Sequence, residues 1–366
     1  MKRDRVTFQS QLLYVGSGTS GVNGNDDLVP EQLQKVQLVS IATDSNRDAV
    51  DEFGRLAALG YSSTTAPVGK LRFQYFLGNG ENENAMGFNT DGTENFIKLG
   101  DEDNPDGTAR NFYLLAVAEK KDAVQSGNYT AAEREKHFVT SLGNGVLTNY
   151  AVEGAIGQIP MATVDWDAAN VGFVTGSSGM PNPAINKDNF CRKSGEVTIT
   201  AATTGSVDTP TLRPEDISLD FGTQLLAEGG PVLPGNDAPT LQEIYIRDFS
   251  IETILDTEEE EGLGQGPQSQ AEVPIDVNFQ CTALLTDVHS GDLIKEICNP
   301  TARDITVNLK PPCVGCSGAN TNNPNMKFMV KGAVFDSQTI LSTLDEPAMI
   351  TLNFTTQLGA PTQTGA

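Results

Sequence analysis

The chain has 366 residues, 38% hydrophobic and 20% charged, with 36 glycines and 19 prolines. That length suits about two domains of ~150 residues, each able to bury a core, and the composition excludes a disordered chain. A net charge of −24, with Lys2, Arg3 and Arg5 as the only basic cluster and Asp4 interrupting it, excludes broad attraction to nucleic acid or anionic membrane; no apolar run reaches the ~18 residues of a spanning helix.

Taken in chain order, the elements are mostly short strands. The start, "MKRDRVTFQSQLLYVGSG", holds only a broken apolar run and is a poor signal peptide; synthesis in a cytoplasm is the expectation. "QLLYV" reads as a strand and leads into "GSGTSG" (16–21). This fits G-x-G-x-x-G, but a dinucleotide site needs a helix to open there, and "VNGNDDLVP" is a loop. "LQKVQLVSIATDS" (33–45) alternates as a strand. "RDAVDEFGRLAAL" reads as a helix weakened by Gly54. "KLRFQYFL" (70–77) is a strand, followed by a long polar loop over 78–110. Within that loop "DEDNPDG" (101–107) imitates a calcium loop. Pro105 takes the place of the third ligand and Phe112 that of the bidentate glutamate, so a solvated loop is expected.

"FYLLAVA" (112–118) is a strand, and "TAAEREKHFVTSL" is the best helix, with Thr130 and Glu133 forming a capping box. "YAVEGAIG" (150–157), "EVTITAA" (196–202), "LQEIYIRDFSIET" (241–253), "IDVNFQCTALL" (275–285), "DITVNL" (304–309), "FMVKGAVF" (328–335) and "AMITLNF" (348–354) are strands. Long polar loops over 174–195, 226–240 and 314–325 separate them, and "SGDLIKEI" (290–297) is a candidate helical turn. The acidic run "EEEE" (258–261) reads as a solvated or interacting face.

Chemistry leaves few marks. Five cysteines, Cys191, Cys281, Cys298, Cys313 and Cys316, are an odd number and argue against a disulfide scaffold. "CVGC" (313–316) has zinc-knuckle spacing but no second pair, and a structural zinc needs four ligands. His137 and His289 are isolated, so no nucleophile has a base beside it. The reading is no enzyme, with no catalytic, cofactor-binding or metal residue.

The chain repeats itself. "LQKV" at 33 matches "LQEI" at 241, "APVGKLRFQYFL" matches "VPIDVNFQCTALL", and "VEGA" at 152 matches "VKGA" at 330, in the same order. The expected organisation is two related β modules, 1–180 and 196–366, with a linker over 181–195 in the Gly/Ser/Pro/Asn-rich "TGSSGMPNPAINKDNF".

The phrases "LQKVQLVSIATDSNRDAVDEFGRLA", "PVGKLRFQYFLGNGENENAMGF", "LTNYAVEGAIGQIPMATVDWDAANV", "EVPIDVNFQCTALLTDVHSGDL" and "KFMVKGAVFDSQTILSTLDEPAMITLNFTTQLG" carry a resemblance covering most of the chain. It resembles the tail tube proteins (major tail proteins) of tailed bacteriophages, in the larger version with two related halves. Where such proteins often place an arginine before the glycine turn, this chain has Thr257 and the glutamate run. The resemblance implies a mainly β fold of two β-sandwich-like or barrel-like modules with one or two short helices. It implies a virion structural protein, made in the host cytoplasm, whose rings stack into the conduit for the genome. The implied partners are copies of itself, three per pseudo-hexameric ring or six per hexameric ring, and sheath, tape measure and tail terminator proteins. Viral DNA passes through the lumen without specific binding, and no membrane is involved. The alternative from a different class is an exported β-sandwich adhesin; an enzyme stands third.

Overall fold

The computed structural model describes residues 11–17, 30–44, 47–63, 68–78, 80–90, 95–97, 109–117, 138–175, 180–181, 183, 196–197, 217–220, 243–255, 257–260, 268–271, 274–284, 302–309, 326–342, 344 and 347–360. Regular structure among them is antiparallel β with one short helix, so the fold is mainly β.

The first half runs β1 (Gln11–Ser17), β2 (Glu31–Gln32), β3 (Val36–Asp44), β4 (Arg47–Val50), β5 (Gly60–Ser63), β6 (Val68–Phe76), α1 (Glu81–Ala85), β7 (Arg110–Ala116), β8 (Phe138–Ala155) and β9 (Met161–Thr175). A small pair, β10 (Met180–Pro181) with β11 (Glu196–Val197), follows. The second half runs β12 (Ile217–Asp220), β13 (Glu243–Ile254), β14 (Thr257–Glu260), β15 (Gln268–Ala271), β16 (Asp276–Leu284), β17 (Arg303–Leu309), β18 (Met326–Leu341) and β19 (Met349–Gln357).

Alternation decides what each strand buries. On β6, Leu71, Phe73 and Tyr75 are buried, while Lys70 and Arg72 are exposed. On β16, Val277, Phe279, Cys281 and Ala283 are buried, while Asp276, Asn278 and Gln280 are exposed. Each large apolar side chain so buried contributes about 1.5–3 kcal/mol.

The hydrogen-bonded order in the first half is β3-β6-β9-β8-β7-β1, and in the second it is β13-β16-β19-β18-β17-β12. Each set curls back on its own start. β12 pairs with β13, Leu219 opposite Ile244. β1 pairs with β2, Tyr14 opposite Gln32, and β2 runs on into β3 through a kink at Lys35, whose φ is 57°.

The agreement extends to register. β8 and β9 shift register between Leu147 and Asn149, and β18 and β19 shift between Phe335 and Ser337. β7 and β8 shift between Arg110 and Phe112; β17 and β18 shift between Arg303 and Ile305. β3 and β6 shift between Val36 and Leu38; β13 and β16 shift between Ile246 and Asp248. Such bulges bend a strand and are positional devices. One offset (335 minus 147, or 188) carries every described β8–β9 pair that has a counterpart onto its β18–β19 equivalent, Leu147↔Trp166 becoming Phe335↔Phe354. The small hairpins agree too: Arg47↔Ser63 in β4–β5 corresponds to Thr257↔Ala271 in β14–β15.

The halves join along β8. Its first part pairs with β7, and its last part leaves β7 and pairs with β13, from Asn149↔Ile254 to Ala155↔Asp248. Backbone bonds from Leu255 N–H to the Thr148 carbonyl (2.9 Å) and from Ile156 N–H to the Arg247 carbonyl (2.8 Å) extend the seam. One hydrophobic cluster runs through both halves, with Phe96 edge-on to Phe328 across the join.

Three expectations are corrected. "RDAVDEFGRLAAL" forms the β4–β5 hairpin, not a helix: Gly54 sits at φ 93° in a turn closed by Arg55 N–H on the Glu52 carbonyl, and the backbone partners across the hairpin replace helical ones. In the expected helix "TAAEREKHFVTSL", Phe138–Leu142 belong to β8, where pairing with β7 and β9 on both edges outweighs helix propensity; its residues 130–137 lie outside the described residues. The described helix is α1, inside the segment read as a polar loop. The "SGDLIKEI" turn and most of 181–195 lie outside the described residues.

Candidate functional site

The sequence-flagged chemical motifs fall mostly outside the described residues: Lys2, Arg3 and Arg5, most of "GSGTSG", "DEDNPDG", His137, His289 and "CVGC". Of the cysteines only Cys281 is described, as a buried free thiol whose pKa burial pushes up. Three residues of the acidic run, Glu258, Glu259 and Glu260, form β14 opposite β15. Among the described residues no three His, Cys, Asp or Glu side chains converge as a metal site, and no helix is long and apolar enough to cross a membrane.

One buried polar cluster went unread in the sequence. Glu83 on α1 is buried and accepts hydrogen bonds at Oε1 from the Tyr75 hydroxyl (2.7 Å) and the Tyr150 hydroxyl (3.2 Å). Burial raises the Glu83 pKa, against the hydrogen bonds from Tyr75, its own backbone and Tyr150, and against Lys35. Burial, then the charge of Glu83, raises both tyrosines. Next to it, the Asn82 amide clamps the backbone of Gln34, accepting from its N–H at 2.7 Å and donating to its carbonyl at 2.8 Å. Glu83 and Asn82 thus pin α1 as a plug over the end of the first half. Among the described residues, these hydrogen bonds make the cluster a fastening of α1 to β6, β8 and the β2–β3 link.

The extended surface is more informative. β3-β6-β9-β8-β13-β16-β19-β18 form one continuous eight-strand sheet through both halves. Its core face is apolar and its other face is mostly polar, with Leu38, Ile254 and Leu341 exposed on it. The registers set Ser40, Arg72, Asp165 and Asn149 side by side in the first half. They set Ser250, Gln280, Asn353 and Ser337 side by side in the second. Apart from Arg247, Lys331 and Asp336 at bulges, the described charged side chains that alternation puts on this face are Lys70, Arg72, Glu153, Asp165, Asp167, Asp248, Glu252, Asp276 and Lys327. Two of these cations face acids: Arg72 lies 3.7 Å from Asp165, and Lys70 is opposite Asp167; Lys327 lies on the part of β18 that pairs with β17. The remaining acids give the face a negative potential.

Both ends of this sheet are open edges among the described residues. β3 pairs with β6 alone, and β18 beyond Ala333 pairs with β19 alone. A long unpaired edge offers a row of N–H and C=O groups to another strand. Away from the sheet, the β4–β5 hairpin holds Phe53 and Leu56 fully in solvent, with Leu59 and Tyr61 also exposed. Apolar groups so displayed on one projection mark a contact surface.

No protein-family model matches the chain, and no curated protein matches it in sequence. The fold and these surfaces carry the functional reading.

Proposed function

We propose that the chain is a virion structural protein of the phage tail tube kind, which polymerises into stacked rings around a channel for the genome. The observation that carries this reading is the eight-strand sheet, polar and acidic on one face and open at both edges. A sheet open at both edges extends by adding strands from further copies, and in a closed ring of copies the acidic face lines a bore. Few uncompensated cations on it means few points where a phosphate would displace counterions and stick. The two halves are duplicated modules filling two places in one ring, so three chains make a pseudo-hexameric ring. The exposed Phe53 and Leu56 suit contact between successive rings, a heterologous contact that grows a filament.

Electron microscopy of the purified protein tests this. Stacked rings with a central channel and threefold symmetry are expected. Monomers that stay dispersed at high concentration would overturn the tube and favour the adhesin; a true sixfold ring of chains would overturn the three-chain version.

A further inference from the structure

We infer that the two open edges of the eight-strand sheet pair with each other between copies, and that the chain itself contains the template for the register. The seam between β8 and β13 joins the end of the long strand of the first half to the first strand of the second. The counterpart of that part of β8 is β18 from Ser337 onward, since Asn149 and Ser337 both follow the same bulge. The counterpart of that part of β13 is β3 from Leu38 onward, since Asp248 and Leu38 both follow the same bulge. In the chain one seam is made. Its two counterpart edges, one at each end of the sheet, are left without a partner among the described residues.

Transferring the seam gives the contact residue by residue. Ile254↔Asn149 becomes Asp44↔Ser337, and Glu252↔Ala151 becomes Ala42↔Thr339. Ile251↔Val152 becomes Ile41↔Ile340, and Ser250↔Glu153 becomes Ser40↔Leu341. The chemistry agrees with the transfer. Ile251 and Val152 are buried in the existing seam, whereas Ile340 is 48% and Leu341 60% exposed. The new contact would set Ile340 on the core face beside Ile41, as Val152 stands beside Ile251, while Leu341 takes the outward place of Glu153; no like charges come opposite. Each pair keeps its face, since a slip of one residue would turn every side chain over. The occupant is therefore a second copy of this chain, added head to tail. The edge pairing stands on the ladders alone; closure into a three-copy ring rests on the tube reading.

Co-expression of two variants, each with one cysteine added to the five native ones, tests the register, because each copy then carries only one half of the designed link. Ala42→Cys with Thr339→Cys, and Ile41→Cys with Ile340→Cys, are the matched mixtures. Adjacent antiparallel pairs alternate between wide and close spacing, so one of the two has the close geometry a disulfide needs. Oxidation is expected to produce a linked dimer in at least one matched mixture, located by mass spectrometry of the joined peptides. The slipped mixture, Ala42→Cys with Ile340→Cys, should give no peptide joined through the two added cysteines. Circular dichroism and melting confirm that each variant folds; Ser40→Cys with Leu341→Cys replaces any that does not. Stacked rings without either matched link would overturn the register and leave the tube standing. A matched link in assemblies that never close or stack would keep the register and overturn the tube. Absence of both links and rings overturns both.

Discussion

The two halves share a backbone plan and differ in nearly everything placed on it. Where the first half has Tyr75 and Tyr150, the same ladder positions of the second hold Ala283 and Gln338. Trp166 corresponds to Phe354, Leu147 to Phe335 and Phe73 to Cys281. The charged pair Arg72 and Asp165 corresponds to neutral Gln280 and Asn353. The lesson is that bulges and strand order hold the architecture while the core is refilled with side chains of different size on the same alternating pattern. The two tyrosines that Glu83 bridges have no tyrosine counterparts in the second half.

The largest test of this comparison removes the central aromatic from each half. Trp166 and Phe354 are both buried to 1% exposure, and Trp166→Ala and Phe354→Ala should each cost about 3–5 kcal/mol. The chain has one tryptophan, so its fluorescence reports the first half. Because one core runs through both halves, Phe354→Ala is expected to lower the fluorescence midpoint in chemical denaturation together with the circular dichroism midpoint. A fluorescence midpoint that stays put would mean the halves unfold separately.

A smaller effect comes from a position where the halves differ in space. A methyl group on Gly69 would run into the Val171 side chain and meet Leu142 at 3.0 Å. Its counterpart on β16 is Val277, which fits. Gly69→Ala should cost about 1–3 kcal/mol by overpacking, and Val277→Ala about 1.5 kcal/mol by lost burial. A Gly69→Ala variant that melts with the parent would erase the distinction.

The plug gives a pH-dependent test. Since burial raises the folded pKa of Glu83, its favourable contribution is present below the unfolded value and is lost as pH rises through the folded one. Glu83→Gln keeps an acceptor for both tyrosines and sheds the charge. It should match the parent in acid and become more stable than it as pH rises. Glu83→Ala leaves the hydroxyls unpaired and should cost about 1–3 kcal/mol. Denaturation curves at acid and neutral pH compare the three, and a parent-to-glutamine difference that ignores pH would remove the buried charge from the account.

The smallest effect is expected at the polar face. Arg72 and Asp165 are partly solvated, so Arg72→Gln, which copies the second half, should change stability by less than about 1 kcal/mol. Unfolding at low and high salt checks this; a large, salt-sensitive loss would show that the charged pair holds the sheet together.

Much of this plan could be read from the residues. β6, β16, β17 and β19 alternate cleanly, and their strands were expected within a few positions. The repeat of "LQKV" and "LQEI" pointed to corresponding strands, though beyond the bulges the structural offset is two residues longer (Leu38 to Asp248). "VEGA" and "VKGA" misled: Val152 corresponds to Ile340, not to Val330. Those four-letter phrases carry composition, whereas the bulges that set the true offset leave no signature in sequence. The open edges and the Glu83 cluster were hidden for a related reason. Both depend on which distant strand stands beside which, and a pattern of period two says only which face is apolar.

β8 also has a consequence for biogenesis. Its segment 149–155 gains its second neighbour only when Asp248–Ile254 exists, and Ala155 and Asp248 are 93 positions apart (248 minus 155). At roughly 5–20 residues per second of translation, a nascent chain carries that raw edge for about 5 to 20 seconds before its own β13 emerges. During that interval neighbouring nascent chains on the same message present the same edge. Slower elongation across 156–247 therefore lengthens exposure to mispairing, so expression yield would depend on codon speed between the halves as well as on the stability of the finished protein.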